Sequence, residues 1–579
     1  MTTTDLAVIV PSAFLIMQIL EDLKIKAAML LQAVKIYWKT LFIVIYPLVL
    51  LPVFLTNNTS AFRCLYVVLL MAGYWVFEVL PLPVTSLIPM VLFPLMGILD
   101  SDKTSLCYLK ETNMMFVGGL IIAIAVEHCN LHKRVALYVI KLVGCSPRRL
   151  NIGLCSVTML ISMWISNTAA AAMMIPIIEA TLLALEEQGI GEMFESSDLE
   201  EPQQAEIERD ATEDTKRPTR TTMCYFISTA YAASIGGMGC IIGSGTNLTF
   251  KGLYETLFPN SPGVEFTKWM ILNVPLMLLM MYLGIVWMQF WYMGLFRPNS
   301  ADAKKIRVGQ QGAAVAKKLI NHQLEQLGPM SFHEGAIGCC FLLSIVLWFF
   351  RKPQFVTGWA ELITNHKVKD ATAALIVVLI MFICPSKPDF IYIFSKNDRI
   401  RPKAPSPALI SWKIVQQKMP WGLLFLLGGG FAMAEGSKAS GMSHMIAQHL
   451  RGFTQLNKYY VMLISGSMGA VLTQFSSNVA CANVLLPVLA EMSVDAKIHP
   501  MYLMMPAALC CSFAYCLPVS TPPNAIAAAP CNMASGEMSK VGIGMTIISL
   551  LVLFLIFPYY GNLIWDLETF PAWAEEQDV

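Results

Sequence analysis

The chain has 579 residues, of which 56% are hydrophobic and only 14% are charged, and its formal net charge is +1. A soluble chain of this length would form about four domains of roughly 150 residues each, with about 25% charged residues. There is too little charge here to cover such a surface, so the composition predicts an integral membrane protein. A nearly neutral chain also gives no reason to expect a nucleic acid partner, and the 15 cysteines follow no disulfide or metal-binding spacing.

Long stretches without a charged residue indicate where the chain crosses the membrane, since a helix needs about 20 residues to span ~30 Å of hydrocarbon. Such stretches run from Trp269 to Phe296, from Tyr459 to Ala490 and from Val541 to Trp565. Together with shorter apolar runs, they predict an all-α polytopic membrane protein with about eleven transmembrane helices and some half-crossings.

Two polar segments help to divide the chain. Residues 1–39 are predicted to be a cytoplasmic N-terminal segment, because several lysines precede the first complete span. Residues 186–220 are predicted to be a disordered acidic loop, because Glu186 to Asp214 hold twelve acids and one base. The predicted units are then 40–185 and 221–330 in the first half of the chain and 331–579 in the second.

Three short motifs occur twice in the same order, which indicates two related halves. They are a glycine pair, a Ser-Asn pair with a proline ten residues after the serine, and a small-residue turn that ends in Asn. The first copies are Gly118-Gly119, Ser166-Asn167-Thr168 with Pro176, and Gly243 to Asn247. The second copies are Gly428-Gly429-Gly430, Ser477-Asn478-Val479 with Pro487, and Ser520 to Asn524. The acidic loop accounts for the longer interval between the last two motifs in the first half.

Each Ser-Asn pair interrupts an apolar run, as expected for a helix, a tip and a returning half-helix. A kink or a packing contact would account for a single pair, but the duplication favours a site. Irregular backbone at membrane depth occurs only where it is buried in protein or lines a cavity. Amides, hydroxyls and helix N-termini suit carboxylate oxygens, and backbone carbonyls with Asn side chains suit Na⁺. We therefore predict an anion site without a fixed cation at these tips.

With these motifs the chain resembles the divalent anion/sodium symporter family, the carriers of di- and tricarboxylates and of sulfate. The resemblance covers nearly the whole chain and includes further motifs: Trp75-Val76-Phe77-Glu78, Pro81-Leu82-Pro83, Asn130 to Arg134, Leu327 to Met330, Pro420-Trp421 and Pro522 to Ala525. Within the family, the stretch Phe475 to Ala480 is most similar to the INDY citrate and dicarboxylate transporters.

The resemblance implies a homodimer in the plasma membrane, in which each protomer has a scaffold domain and a transport domain with two re-entrant hairpins in an inverted repeat. It implies secondary active transport of citrate, succinate, malate, fumarate and α-ketoglutarate by an elevator motion, with no organic cofactor. Substrate carboxylates would be held by Ser166, Asn167, Thr168, Ser477, Asn478 and Val479, with Thr246, Asn247, Pro523, Asn524 and Gly429 completing the pocket. The sodium sites of the family would map onto Ser162, Asn167, Gly237, Thr473 and Asn478.

Three departures from the family pattern concern the coupling ion. Sodium-coupled animal carriers commonly have two threonines after the first tip and an acid before the second. Here Ala170 and Ala171 replace the threonines, and Gln474 replaces the acid. The loss of these polar groups favours sodium-independent carriage, by exchange or linked to protons. Sodium-coupled carboxylate symport is the alternative, and sulfate transport is a weaker one because Val479 stands where sulfate carriers have proline.

Other classes of protein are disfavoured. An intramembrane enzyme would need a catalytic constellation, but the eight histidines form no metal pair with a nearby acid and no Gly-x-Ser-x-Gly occurs. The chain shows no channel filter sequence and no soluble effector domain that would favour a receptor. The intramembrane acids Glu78 and Glu179 are candidates for proton coupling, or else residues at helix ends with access to water.

Overall fold

The computed structural model describes residues 31–144, 146–187, 193–194, 218–309, 313–351, 357–392, 404–442, 457–531 and 535–575, together with residues 26, 29, 402, 445, 446 and 533. Most of the predicted N-terminal segment 1–39 and of the acidic loop 186–220 lies outside these residues, so both stay predictions. In the described part of the chain the regular structure is helical, with two isolated β-bridges.

The first half of the chain begins with helices that lead up to the first hairpin. These are α1 (Leu31–Leu55), α2 (Ser60–Phe77), α3 (Leu82–Leu95), α4 (Ser101–Cys107), α5 (Glu111–His128) and α6 (Leu131–Val143). The first hairpin consists of α7 (Pro147–Ser162) and α8 (Asn167–Glu186). The helices after it are α9 (Arg220–Gly237), α10 (Gly245–Leu257), α11 (Phe266–Met293), α12 (Ala301–Gly309) and α13 (Ala313–Gln326).

The second half has a corresponding order. It begins with α14 (Phe332–Phe349), α15 (Trp359–Ile363), α16 (Asp370–Ile383), α17 (Trp412–Lys418) and α18 (Trp421–Ser440). It continues with α19 (Lys458–Leu472), α20 (Asn478–Asp495), α21 (Pro500–Cys510), α22 (Pro522–Ala528), α23 (Ser535–Trp565) and α24 (Ala572–Glu575).

The outer surface of this bundle is apolar. Among the described residues, eight helices are long and apolar enough to cross a membrane, and none of the apolar window of α1 is buried within the protein. Large side chains such as Leu278, Leu551 and Leu555 are about half exposed, which is unusual in water but expected against lipid. The predicted all-α membrane fold is confirmed, whereas the count of eleven crossings and the elevator motion stay predictions.

The two hairpins approach α11 from opposite ends, as expected for an inverted repeat. The first hairpin starts at the C-terminal end of α11, where the guanidinium of Arg148 donates to the carbonyl of Met293 at 3.1 Å. The second ends beside the N-terminal end of α11. There the ring of His499, which follows the hairpin, is 5.6 Å from that of Trp573, and Trp573 is 5.7 Å from Phe258, which precedes α11. The two tips therefore point towards each other from opposite sides of the bundle.

The duplicated glycines allow α5 and α18 to approach the interrupted segments closely. A Cβ at Gly119 would lie 3.2 Å from the side chain of Ile242, which stands between α9 and α10. A Cβ at Gly430 would collide with the side-chain oxygen of Asn483 on α20. The glycine motif thus has a packing role in both halves.

A buried ion pair fixes α6 to the start of α14. The guanidinium of Arg134 donates to both carboxylate oxygens of Glu334 at 3.1 Å and to the carbonyl of Gly328 at 2.7 Å. Glu334 also forms a capping box with Ser331 at the N-terminus of α14. Removing one partner of a buried pair leaves an uncompensated charge, which costs about 3–5 kcal/mol.

We expect Arg134→Met to lower the apparent melting temperature of the detergent-solubilised protein by several degrees, because Glu334 loses its counter-ion. The neighbouring Lys133 is exposed, so Lys133→Met should change the melting temperature by less than a degree or so. Equal melting temperatures for the two variants would contradict the role given to this pair.

Candidate functional site

Each Ser-Asn motif lies at the tip of a helical hairpin. In the first hairpin α7 ends at Ser162 and α8 begins at Asn167, with Ser166 as its N-cap. The hydroxyl of Ser166 accepts from the backbone N–H of Ala169 at 3.2 Å. In the second hairpin α20 begins at Asn478. The first N–H groups of a helix have no partner within it, so each tip presents backbone donors and the positive end of a helix dipole.

Three oxygen atoms converge behind each tip. The Ser162 hydroxyl lies 2.8 Å from Asn167 Oδ1 and 2.7 Å from the carbonyl of Ala233. In the second half the Thr473 hydroxyl lies 2.7 Å from Asn478 Oδ1 and 2.6 Å from the carbonyl of Cys511. The hydroxyl and its Asn are five residues apart in both halves, so the repeat extends to individual hydrogen bonds.

These oxygen clusters contain four of the five predicted cation-binding residues. The fifth, Gly237, packs against the Asn167 side chain so closely that a Cβ at this position would overlap Oδ1. A hydroxyl has one proton to share between two acceptor oxygens. Three converging oxygens are donors of the kind that could supply part of a coordination shell for a cation such as Na⁺.

The second asparagine of each half holds an interrupted helix together. Asn247 Nδ2 donates to the carbonyls of Gly237 and Cys240 at 2.9 and 2.8 Å, ten and seven residues earlier in the chain. Asn524 Nδ2 donates to the carbonyls of Ala514 and Leu517 at 2.9 and 3.0 Å, again ten and seven residues earlier. Both side chains are fully buried. Their amides therefore donate hydrogen bonds to backbone carbonyls at the points where the helices end.

We call residues 238–244, between α9 and α10, the first break, and residues 511–521, between α21 and α22, the second break. The two halves meet crosswise at these breaks. Helix α8 packs on α22, and α10 packs on α20. A Cβ at Gly245 would lie 2.7 Å from the Val479 side chain, and the hydroxyl of Thr246 lies 2.6 Å from that of Ser512. The start of α10 therefore touches both the second tip and the second break.

The predicted site residues differ in how open they are. Ser166 and Thr168 are exposed, whereas Asn167, Ser477 and Asn478 are half-buried. These five residues form the accessible polar surface of the tips.

The other predicted residues are buried. Val479, Thr246, Asn247 and Asn524 lie behind the tips, and Pro523, which has no N–H to donate, lies in the first turn of α22.

Gly429 packs on α3, where a Cβ would lie 2.7 Å from that of Ser86, and its place in the substrate pocket stays a prediction. The contact of its helix with the second hairpin is made instead by the next residue, Gly430.

The two acidic candidates lie outside the tip segments. Glu78 is exposed at the end of α2 with a left-handed φ of 46°, which favours its interpretation as a helix-end residue. Glu179 lies on α8 about three turns beyond Asn167.

The sequence motifs do not include two groups that the structure adds. Ser512 bridges the halves through Thr246, and no pattern around it could have indicated this contact. Ala514 has the same position relative to Asn524 as Gly237 has relative to Asn247. Aligning the two breaks on their asparagines would have found it.

A sequence model of the family described as "Sodium:sulfate symporter transmembrane region" matches residues 32–567 of this chain. The Drosophila melanogaster protein "I'm not dead yet" is 46% identical over 544 residues, which are 93% of this chain and 91% of that protein. The Rattus norvegicus Na(+)/citrate cotransporter is 38% identical over 560 residues, covering 91% of this chain and 95% of that protein. The Mus musculus Na(+)/dicarboxylate cotransporter 3 is 38% identical over 567 residues, covering 93% of this chain and 94% of that protein. The family match therefore includes both hairpins and both breaks.

Replacing either buried asparagine should destabilise the protein. Asn247→Ala and Asn524→Ala each remove two buried hydrogen bonds to backbone carbonyls, at a cost of about 2 kcal/mol. We expect a clear fall in the melting temperature of both variants in detergent, whereas Asn365→Ala, at an exposed position, should leave it unchanged. Melting temperatures like that of the parent would mean that the breaks do not need these amides.

Proposed function

This chain is a member of the sodium:sulfate symporter family, and we propose that it is a plasma-membrane secondary transporter of citrate and other di- and tricarboxylates. Succinate, malate, fumarate and α-ketoglutarate are the other expected substrates. The observation that carries the proposal is the pair of opposed tips, which present amides, hydroxyls and helix N-termini with no charged residue in the tip segments. The names of the relatives, a citrate and a dicarboxylate cotransporter, support the same substrate class.

The orientation of the tip asparagines supports their role as donors to a carboxylate. Asn167 Oδ1 is engaged by the Ser162 hydroxyl, and Asn478 Oδ1 by that of Thr473. Each amide nitrogen is thereby left to another partner, and amide N–H groups donate to carboxylate oxygens. Asn167 and Asn478 would each hold one end of a dicarboxylate, with Ser166, Thr168 and Ser477 donating beside them. Ser162 and Thr473 would act as positioning residues.

The crosswise packing supports alternating access by an elevator motion. Since α8 packs on α22 and α10 on α20, neither tip can move far without the other. The two hairpins and two interrupted helices would then move as one transport domain against a scaffold, carrying the site across the membrane. A homodimer, in which the scaffolds of two protomers meet, belongs to the same proposal.

We expect Asn167→Ala and Asn478→Ala each to reduce citrate uptake to background while the protein remains at the cell surface. Each variant loses a hydrogen bond to a carboxylate, which is worth about 1.5–3 kcal/mol and corresponds to a roughly ten- to hundredfold loss of transport. Labelled citrate uptake, normalised to surface biotinylation, measures this effect, and Asn365→Ala is the matched control. Normal uptake by both tip variants would refute the site.

We further propose that transport is sodium-independent, by exchange or linked to protons. Ala170 and Ala171 are buried at the first tip where hydroxyls would otherwise add ligands. Sodium-coupled symport is the second candidate. It is favoured by the oxygen clusters at Ser162 and Thr473 and by the names of two relatives.

Labelled citrate flux into proteoliposomes decides between these candidates. With choline in place of sodium at two external pH values, we expect flux to stay within about twofold of its value in sodium at the same pH, because no step depends on sodium. A collapse of flux in choline at both pH values would establish sodium coupling instead.

A further inference from the structure

Gln474 makes three hydrogen bonds between the end of α19 and the second break. Its Nε2 donates to the carbonyl of Ala470 at 2.8 Å and to that of Phe513 at 2.7 Å. Its Oε1 accepts from the backbone N–H of Cys516 at 2.9 Å. The side chain is buried, so its polar atoms meet protein groups rather than water.

These partners determine which way the amide faces. The Cys516 N–H needs an acceptor, and the carbonyls of Ala470 and Phe513 need donors. Turning the amide over would place two carbonyl oxygens against the Gln474 oxygen and two N–H donors against each other. The nitrogen therefore stands between two oxygens, one on α19 and one in the segment between α21 and α22.

The corresponding residue of the first half, Met163, cannot make the hydrogen bonds that Gln474 makes. Gln474 follows Thr473 as Met163 follows Ser162, and a thioether has no proton to donate. Met163 instead packs on the first break, where a Cβ at Gly239 would lie 3.1 Å from its Cγ. The first break is thus joined to its hairpin by close packing, whereas the second is joined by an amide.

A nitrogen that donates to two carbonyl oxygens supplies, through its two protons, the positive partial charge that a cation between them would supply. The neighbouring residue, Thr473, already gathers the oxygens of Asn478 and Cys511, so this end of α19 is rich in acceptors. Without the two N–H groups, the carbonyls of Ala470 and Phe513 would face each other uncompensated.

We propose that Gln474 is a positioning residue whose amide replaces a cation at the second break. It holds the break against the hairpin so that the second tip keeps its shape without a bound metal ion. This inference deepens the proposed function, since it rests on the carrier role and gives a structural cause for sodium independence.

The test is the nearly isosteric variant Gln474→Glu, with Gln474→Met as its control. A carboxylate keeps the acceptor for Cys516 but turns its second oxygen towards two carbonyls, which requires a cation or a proton between them, and pH 8 disfavours the proton. Methionine has similar volume, no charge and no donor, and therefore gives a cation nothing to bind.

Citrate flux into proteoliposomes is measured at pH 8 in choline and in sodium, as a ratio to the parent in the same buffer. In choline, we expect the flux of Gln474→Glu to be about one tenth of the parent flux or less. In sodium, the ratio of the two fluxes should be at least about five times higher than in choline. The ratio for Gln474→Met should be low and equal in both buffers. A ratio for Gln474→Glu that sodium does not raise, or an equal rise for Gln474→Met, would overturn the proposal.

Melting temperature in detergent gives a second readout that does not need transport. Sodium should raise that of Gln474→Glu by several degrees and leave those of the parent and Gln474→Met unchanged. If Gln474→Glu is recovered folded only in sodium, the proposal is supported. If it is never recovered while Gln474→Met is, the proposal fails. If the parent itself carries no citrate or needs sodium, the proposed function fails separately, because the melting temperatures still judge Gln474.

Discussion

The structure depends on how the backbone is satisfied where helices stop inside the membrane. In hydrocarbon a freed carbonyl has no water to bind, and an unpaired one costs several kcal/mol. Asn247 and Asn524 solve this problem identically, each donating to two carbonyls ten and seven residues earlier. The breaks can exist at this depth because of these amides, and the helices that begin at the breaks pack on the hairpins of the opposite half.

The same residue type serves two different purposes according to which end of the amide is occupied. Asn247 and Asn524 use their nitrogens within the protein, whereas Asn167 and Asn478 use their oxygens. The hydroxyls of Ser162 and Thr473 bind the side-chain oxygens of Asn167 and Asn478 and so leave their nitrogens to other partners. The groups around each asparagine thus separate the structural asparagines from the proposed substrate-binding ones.

The sequence predicted the features that are local and duplicated. Ser-Asn pairs with a following proline predicted both hairpins, because irregular backbone at membrane depth is tolerated only where protein or a cavity surrounds it. The contacts between the halves were not predictable. Thr246 and Ser512 are 266 residues apart, and Gly429 packs on Ser86. Such contacts depend on how two bundles pack together, which neither periodicity nor motif spacing records.

The low content of charged residues, which indicates a membrane protein, is also seen around the proposed site. The cation on α10 is Lys251, four residues after Asn247. Its ammonium group is buried and bound to Asp370 at 2.6 Å and to the carbonyl of Val264 at 3.0 Å. A lysine neutralised in this way contributes little field to an anion beyond it. The proposed substrate would therefore be held by dipoles alone, and dipoles that bind an anion moderately also allow its release, as a carrier requires.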